Sequence, residues 1–346
     1  KSTDRKAAPT SRPDCLVIVY HLLLHPSGFT EKSMLLQPAA ADIPLSPPDI
    51  FDRDAPLICE IGIGSGYFLK AIARKNPTHD FLAVERHSAS VRRAYNRLRR
   101  AEMPNVRLFH GEGGFFLRNL VPPRSLSEVY VNFPDPWPKQ KDAHRRLFRP
   151  AFLRLLAGRL VRSGAAYLTT DHAEYFHWAC RKREQSGFME VETGSPPPIV
   201  LQSRYARKWQ SEGRSIYHAV FQKTAHVDVQ PSLELVPMQH AVLEGALPDL
   251  NGFESIVHAF GENHAVIKRP LHPADDRAVL FEVHIEEEGL TQDVLLRVRS
   301  RAKSSRVVVG VDPFGHPIAT RGVAEAVRVL TEWLAEEGLT VIETSY

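Results

Sequence analysis

The chain has 346 residues, 43% hydrophobic and 24% charged, the balance of a soluble globular protein with room for one large or two ordinary domains. Its longest apolar run, Leu16 to Leu24, is too short to cross a bilayer and follows Asp14 rather than a signal-type basic segment, so no membrane span is expected. Cys15, Cys59 and Cys180 show no CxxC spacing, which argues against a disulfide framework, a zinc site or any other metal site and fits a reducing cytoplasm.

The net charge of +4 hides an asymmetry: residues 1–225 carry 34 basic against 21 acidic side chains, and residues 226–346 carry 10 against 19. The first part is the candidate for an anionic partner, most simply nucleic acid.

In chain order, residues 1–13 are polar, proline-bearing and aperiodic, and read as a flexible arm. From Pro56 apolar runs alternate with amphipathic stretches. Strands are predicted at 56–62, 81–85, 106–110, 128–133 and 165–170, with helices at 67–76, 88–103 (Ser88 as N-cap), 113–120, 146–162 and 173–184. Segments 188–193 and 215–223 read as a closing antiparallel pair. Strands alternating with helices imply a mostly parallel sheet covered on both faces. After Lys223 the rhythm changes to short alternating strands (266–271, 278–287, 293–300, 305–312) and one helix over 323–338. The expected organisation is an arm (1–13), an α/β domain (14–225) and an α+β accessory domain (226–346).

Glu60-Ile-Gly62-Ile-Gly64-Ser-Gly66 follows the first strand and opens the first helix. The residue three past Gly64 is Tyr67, so the dinucleotide fingerprint is broken, and no GK[ST] follows. ExGxGxG suits a nucleoside that carries an amino acid and has no pyrophosphate. Glu85 at the second strand end can accept from both ribose hydroxyls, and Glu112, read as ending the third strand, can face adenine. Together Glu60, Glu85 and Glu112 point to S-adenosylmethionine. The fourth strand runs into Asn132-Phe-Pro-Asp135-Pro-Trp137-Pro, stiffened by its prolines. A carboxylate at Asp135 can accept from N1–H and N2–H of guanine and leaves N7 free; N7 has a lone pair and no proton, so methylation there needs no general base.

These residues resemble the bacterial tRNA (guanine-N7)-methyltransferases, through EIGIGSG, the Glu85 strand end, YVNFPDPWPKQKDAHRRL (130–147), LTTDHAEY (168–175), SRYARKW and GRSIYH (203–218). The resemblance covers roughly residues 56–223. It implies a class I S-adenosylmethionine-dependent methyltransferase fold (Rossmann-like, with a seven-stranded mostly parallel sheet), S-adenosylmethionine as donor and the variable-loop guanosine of tRNA as substrate. By motif position it implies Asp135 as the catalytic aspartate and Glu60, Gly62, Gly64, Gly66, Glu85, Glu112 and Asn132 at the cofactor. Lys139 and Asp171 are implied at the substrate, joined by Ser203, Tyr205, Arg145 and Arg146. Two departures stand out: Asp142 and Ala143 interrupt the basic run before Arg145, and the family's T-x-Y/F-E element appears as Ser203-Arg204-Tyr205-Ala206, without its glutamate.

Further basic clusters lie at Arg92, Arg93, Arg97, Arg99 and Arg100, and at Arg297, Arg299, Arg301, Lys303 and Arg306. The sequence leaves three matters open: whether the substrate is instead a small molecule or protein, whether the chain is an RNA-binding relative without turnover, and whether it is a monomer or homodimer.

Overall fold

The structure is a computed structural model describing residues 33–36, 43–272, 278–300, 305–314 and 317–346. The expected arm, the apolar run 16–24 and Cys15 lie outside the described residues.

Five strands, β1 (Leu57–Ile61), β2 (Asp80–Glu85), β3 (Val106–His110), β4 (Leu126–Asn132) and β5 (Leu160–Thr170), run parallel. β7 (Tyr217–Lys223) pairs antiparallel with both β5 and β6 (Met189–Gly194), giving the order β3-β2-β1-β4-β5-β7-β6. Every residue of β1 and β2 is buried, the signature of a sheet covered on both faces. Phe68, Leu69 and Ile72 of α2 (Tyr67–Lys75) with Ala94 and Leu98 of α3 (Ser88–Arg99) fill one face. The other receives Phe152, Leu153 and Leu156 of α4 (Pro150–Arg159) with Tyr175 and Phe176 of α5 (Ala173–Ser186).

Boundaries differ from expectation where local chemistry intervenes. α3 stops at Arg99 rather than 103, since Glu102 takes a positive φ of 51° and Pro104 follows. Its N-cap is His87, and Ser88 is already helical. The helix expected from 146 begins at Pro150, where a proline costs no hydrogen bond, because Arg146 is drawn into a preceding loop. Residues Gly113–Phe115 form a single helical turn that widens into a π-type turn over Phe116–Leu120. Short helices at Pro47–Phe51 (α1) and Arg204–Ser211 (α6) went unpredicted.

The C-terminal strands form a second sheet, wholly antiparallel, of order β14-β8-β13-β12-β11-β10-β9. Besides β10 (Asn263–Leu271), β11 (Ala278–Glu287), β12 (Leu290–Ser300) and β13 (Arg306–Val311), it contains the unpredicted β8 (His240–Glu244), β9 (Ile256–Phe260) and β14 (Thr340–Thr344). Helix α7 (Arg321–Glu336) lays Val323, Ala326, Val327, Leu330 and Leu334 on it at helical spacing, against Phe281, Val283, Leu296 and Val309. Of the basic strand cluster, Arg297 pairs with the buried carboxylate of Asp312, and Arg301 and Lys303 lie outside the described residues.

The connecting segment is anchored on the first sheet's core. Val227, Val229 and Leu233 pack there. The Asn119 Oδ1 accepts from Ser232 N (2.9 Å) and Leu233 N (3.0 Å), and the buried Arg159 guanidinium donates to the carbonyls of Leu117, Arg118 and Val229. Asn119→Ala removes the acceptor of two backbone amides and should lower stability by about 1–3 kcal/mol in chemical denaturation; an unchanged midpoint would mean that the segment is held by packing alone.

Candidate active site

Strand order reverses between β1 and β4, and open α/β sheets bind ligands outside the carboxyl ends of strands at such a point. β1 delivers the glycine loop there. Gly62, Gly64 and Gly66 have φ of 78°, 53° and 72°, a region that other residues enter only with strain. At Gly66 a Cβ would also come within 3.1 Å of Ala94 Cβ, so the start of α2 could not seat on α3. The loop hangs on β2: Gly62 N donates to Val84 O (2.9 Å) and Gly64 N to Glu85 Oε2 (3.0 Å), while Glu85 Oε1 accepts from His87 N (2.9 Å).

Beneath the loop Glu60 is buried, its Oε2 without a hydrogen-bond partner. Neither amide atom of Asn132, at the end of β4, has one either. Desolvation pushes the Glu60 carboxyl up to about 8, reinforced by the charge of Glu85; the Asn132 amide pulls the other way without closing a hydrogen bond. These atoms border a cavity of about 30 Å³ whose walls include Gly62, Gly64, Tyr67, Ser203 and Tyr205. Buried polar atoms without partners are rare in folded proteins and call for a polar ligand. A carboxyl and an amide that both lack partners suit the ammonium and carboxylate of an amino acid, so the residues present fit the methionine end of S-adenosylmethionine. Glu112 does not end a strand as expected: β3 stops at His110, and Glu112 stands exposed before the helical turn at Gly113.

The segment after β4 is strained and braced. Phe133 and Trp137 hold positive φ of 54° and 42°, costing on the order of 1–3 kcal/mol each. Phe133 N donates to Thr169 O at 2.7 Å. Arg146 passes beneath the loop, its guanidinium only 1% exposed, donating to the Pro136 and Trp137 carbonyls (3.0 and 3.1 Å) and pairing with Glu174 at 3.1 Å. Arg146, expected at the substrate, thus points into the loop: its Nε and Nη2 donate to loop carbonyls and to Glu174. Arg145 is exposed and stacks on the Trp137 ring, 3.5 Å from its centroid. Lys139 is exposed at the head of the 3₁₀ turn Gln140–Arg145, which contains Asp142 and Ala143.

Asp135 projects from the loop into solvent, two residues past Phe133 in the cavity wall. Arg86, which sequence reasoning missed, reaches it with Nη2 at 3.0 Å and lies 3.7 Å from Glu112 through Nη1. Its only signal was its place directly after the strand-end Glu85. Asp171 is likewise engaged, accepting from Arg214 at 3.1 Å. Ser203 is the N-cap of α6, its hydroxyl accepting from Ala206 N at 3.1 Å, and Tyr205 lies half exposed with its ring 6.2 Å from that of Phe133.

This strand order, with a glycine loop after β1, an acid at the end of β2 and an unpartnered carboxyl and amide at the switch point, defines a class I S-adenosylmethionine-dependent methyltransferase. A family model described as "Putative methyltransferase" matches residues 54–219. Over 296 residues the chain is 43% identical to a tRNA (guanine-N(7)-)-methyltransferase of Thermus thermophilus, spanning 85% of this chain and 94% of that protein. Proteins of the same name from Deinococcus radiodurans and Thermotoga maritima are 37% and 30% identical over 311 and 299 residues, each with 94% of its length covered. The chain belongs to the tRNA (guanine-N7)-methyltransferase family. An alignment of 296 residues cannot end at residue 223, so the likeness continues into the C-terminal sheet, beyond the reach of the motifs read in the sequence.

Because the folded-state pKa of Glu60 lies above its ordinary value, its contribution to stability is complete below about 4.5 and lost as pH rises through about 8. Glu60→Gln should remove that slope, so that relative to the parent it gains on the order of a few kcal/mol between about pH 5 and about pH 9 in cofactor-free denaturation. Parallel stability curves would show that Glu60 is already ionised in the folded protein.

Proposed function

We propose that the chain methylates N7 of the variable-loop guanosine of tRNA, position 46, with Asp135 as the catalytic carboxylate. The observation that carries this reading is Asp135 on a braced loop whose first residues, Asn132 and Phe133, line the cavity with Glu60. The names of the relatives support the substrate.

S-adenosylmethionine, when bound, supplies a methyl group made electrophilic by its sulfonium. Glu60 and Asn132 hold the amino-acid end, the backbone at Gly62, Gly64 and Gly66 admits close approach, and Glu85 accepts from the ribose. The Glu85 carboxylate already takes two backbone amides but keeps lone pairs free for hydroxyls. Glu112 serves the adenine side. Asp135 accepts from N1–H and N2–H of guanine, which no other base presents together, and so turns N7 toward the cavity. No proton is removed, since N7 carries none. Methylation leaves a cation on the base, and the Asp135 carboxylate stabilises that developing charge in place, without reorganisation. Arg86 must yield or share this carboxylate as the base arrives.

Lys139 and Arg145 face the RNA backbone, with the Arg145–Trp137 stack as a flat surface for a neighbouring base. Asp171 acts through the Arg214 guanidinium that it fixes, and Ser203 and Tyr205 close the cavity from α6. The organisation into a catalytic domain over 14–225 and an accessory domain over 226–346 belongs to the same reading, with the segment around 227–233 packed on the catalytic side. Among the described residues no helix is long and apolar enough to cross a membrane and no side-chain group could hold a metal ion. The reaction takes place in the cytoplasm, with tRNA.

The test is incubation with labelled S-adenosylmethionine and unmodified tRNA transcripts, with the modified base located by nuclease digestion. N7-methylguanosine in the variable loop is expected; no label in transcripts that carry the guanosine would overturn the reading and leave an RNA-binding relative without turnover. Asp135→Ala should lower kcat at least ~100-fold, the scale of losing one positioned electrostatic group, while cofactor affinity changes little. A large loss of cofactor affinity would place Asp135 in the wrong subsite.

A further inference from the structure

We infer that the furrow between α2 and α3 is a docking track for the phosphodiester backbone of RNA, beginning at the rim of the active site and leading away from it. This rests on the reading of the substrate as tRNA. The furrow has a volume of about 370 Å³ and is lined by Lys70, Arg93, Asn96, Arg97 and Arg100: four cations, one amide and no carboxylate.

Arg97 joins it to the site. Its Nε donates to the Ser65 carbonyl at 2.8 Å, inside the glycine loop, and its guanidinium lies 3.5 Å over the ring of Tyr67, which lines the cofactor cavity. This arginine is therefore held in place before any ligand arrives. Arg93 is steadied by Ser90 Oγ at 2.9 Å, and it and Arg100 are exposed along the furrow wall.

The charge balance of this surface separates it from an ordinary solvated helix face. Arg86, Arg118, Arg214 and Arg328 each pair with a carboxylate. None of Lys70, Arg92, Arg93, Arg97, Arg99 and Arg100 makes an ion pair with a described residue. On α3, Arg93 and Arg97 stand at i, i+4, and Arg97 and Arg100 at i, i+3, spacings at which like charges repel and weaken the helix. A polyanion laid in the furrow removes that repulsion and releases its own counterions. Arg93 and Arg100 are seven residues apart, roughly 10 Å along the helix, which leaves room for more than one phosphate of a strand. The planar guanidinium suits such contacts.

The test is equilibrium binding of an unmodified tRNA transcript to the full chain, the Arg93→Gln/Arg100→Gln variant and the Arg93→Lys/Arg100→Lys variant across a range of salt. For the parent, log K should fall linearly with log salt. The glutamine pair should lower that slope by roughly 0.9 for each phosphate it no longer neutralises and weaken binding at low salt at least tenfold, while S-adenosylmethionine affinity stays unchanged and the melting temperature does not fall. The lysine pair should restore the slope. Equal slopes and affinities for the parent and the glutamine pair would overturn the furrow and leave the tRNA reading intact. A parent with no salt-dependent affinity for tRNA would overturn both.

Discussion

The constraint on which the site depends is the pairing of β1 with β4 at the point where strand order reverses. Glu60 pairs across the ladder with Tyr130, which places the polar end of β1 beside Asn132 at the end of β4. Neither strand can satisfy these side chains through its neighbour, since the backbone donors of the parallel ladder are already spent within the sheet. The protein therefore carries a carboxyl oxygen and an amide at the cavity wall that find no hydrogen-bond partner within the protein. Burial pushes the Glu60 carboxyl up to about 8, and a cation placed beside it would favour the charged form.

The loop after β4 solves a different problem, that of showing a carboxylate to solvent without letting it wander. Positive φ at Phe133 and Trp137 would relax in an unconstrained turn. Here the prolines restrict the intervening residues, Phe133 is tied to β5, and Arg146 collects two loop carbonyls from below while Glu174 balances its charge. Removing Glu174 or Arg146 would leave a buried charge or bare carbonyls, so the loop, α5 and the sheet edge stand together. Asp135, by contrast, stands exposed on the outer side of this frame.

Much of this was legible in the sequence. The five parallel strands and the closing pair are marked by apolar runs of the right length, and the glycines and strand-end acids follow from the position of β1 and β2 in such a sheet. The misreadings have physical reasons. Arg146 looks like its neighbour Arg145 in sequence, and only the path of the loop decides which of two adjacent guanidiniums is buried. Glu112 lies past the strand because β3 ends at His110 and the chain enters a helical turn at Gly113. The lost glutamate at 206 is clarified by α6: with Ser203 as N-cap, position 206 is where a glutamate closes a capping box, and Ala206 keeps only the half in which its N–H donates to Ser203. The ion pairs of Arg86 and Arg214 could not be read, for partners 49 or 43 residues apart leave no local pattern.

The second sheet is not a free appendage, and the reason lies in one hairpin. The turn between β11 and β12 carries Glu288, Gly289 and Leu290 to the helical turn that follows Glu112. Glu288 pairs with Arg118, Gly289 takes a positive φ of 76° where a side chain would come within 3.4 Å of Phe115, and Leu290 packs against the core of the first sheet. The neighbouring Glu287 faces the other way, accepting from Gly322 N and Thr320 Oγ1 at the start of α7. One short segment therefore caps the main helix of the second sheet and presses on the helical turn that follows Glu112. With Asn119 holding Ser232 and Leu233 close by, the backbone from Gly113 to Leu120 is fixed from the C-terminal half of the chain as much as from its own strand. The acidic half thus holds a stretch of the first sheet's periphery in place rather than standing apart from it.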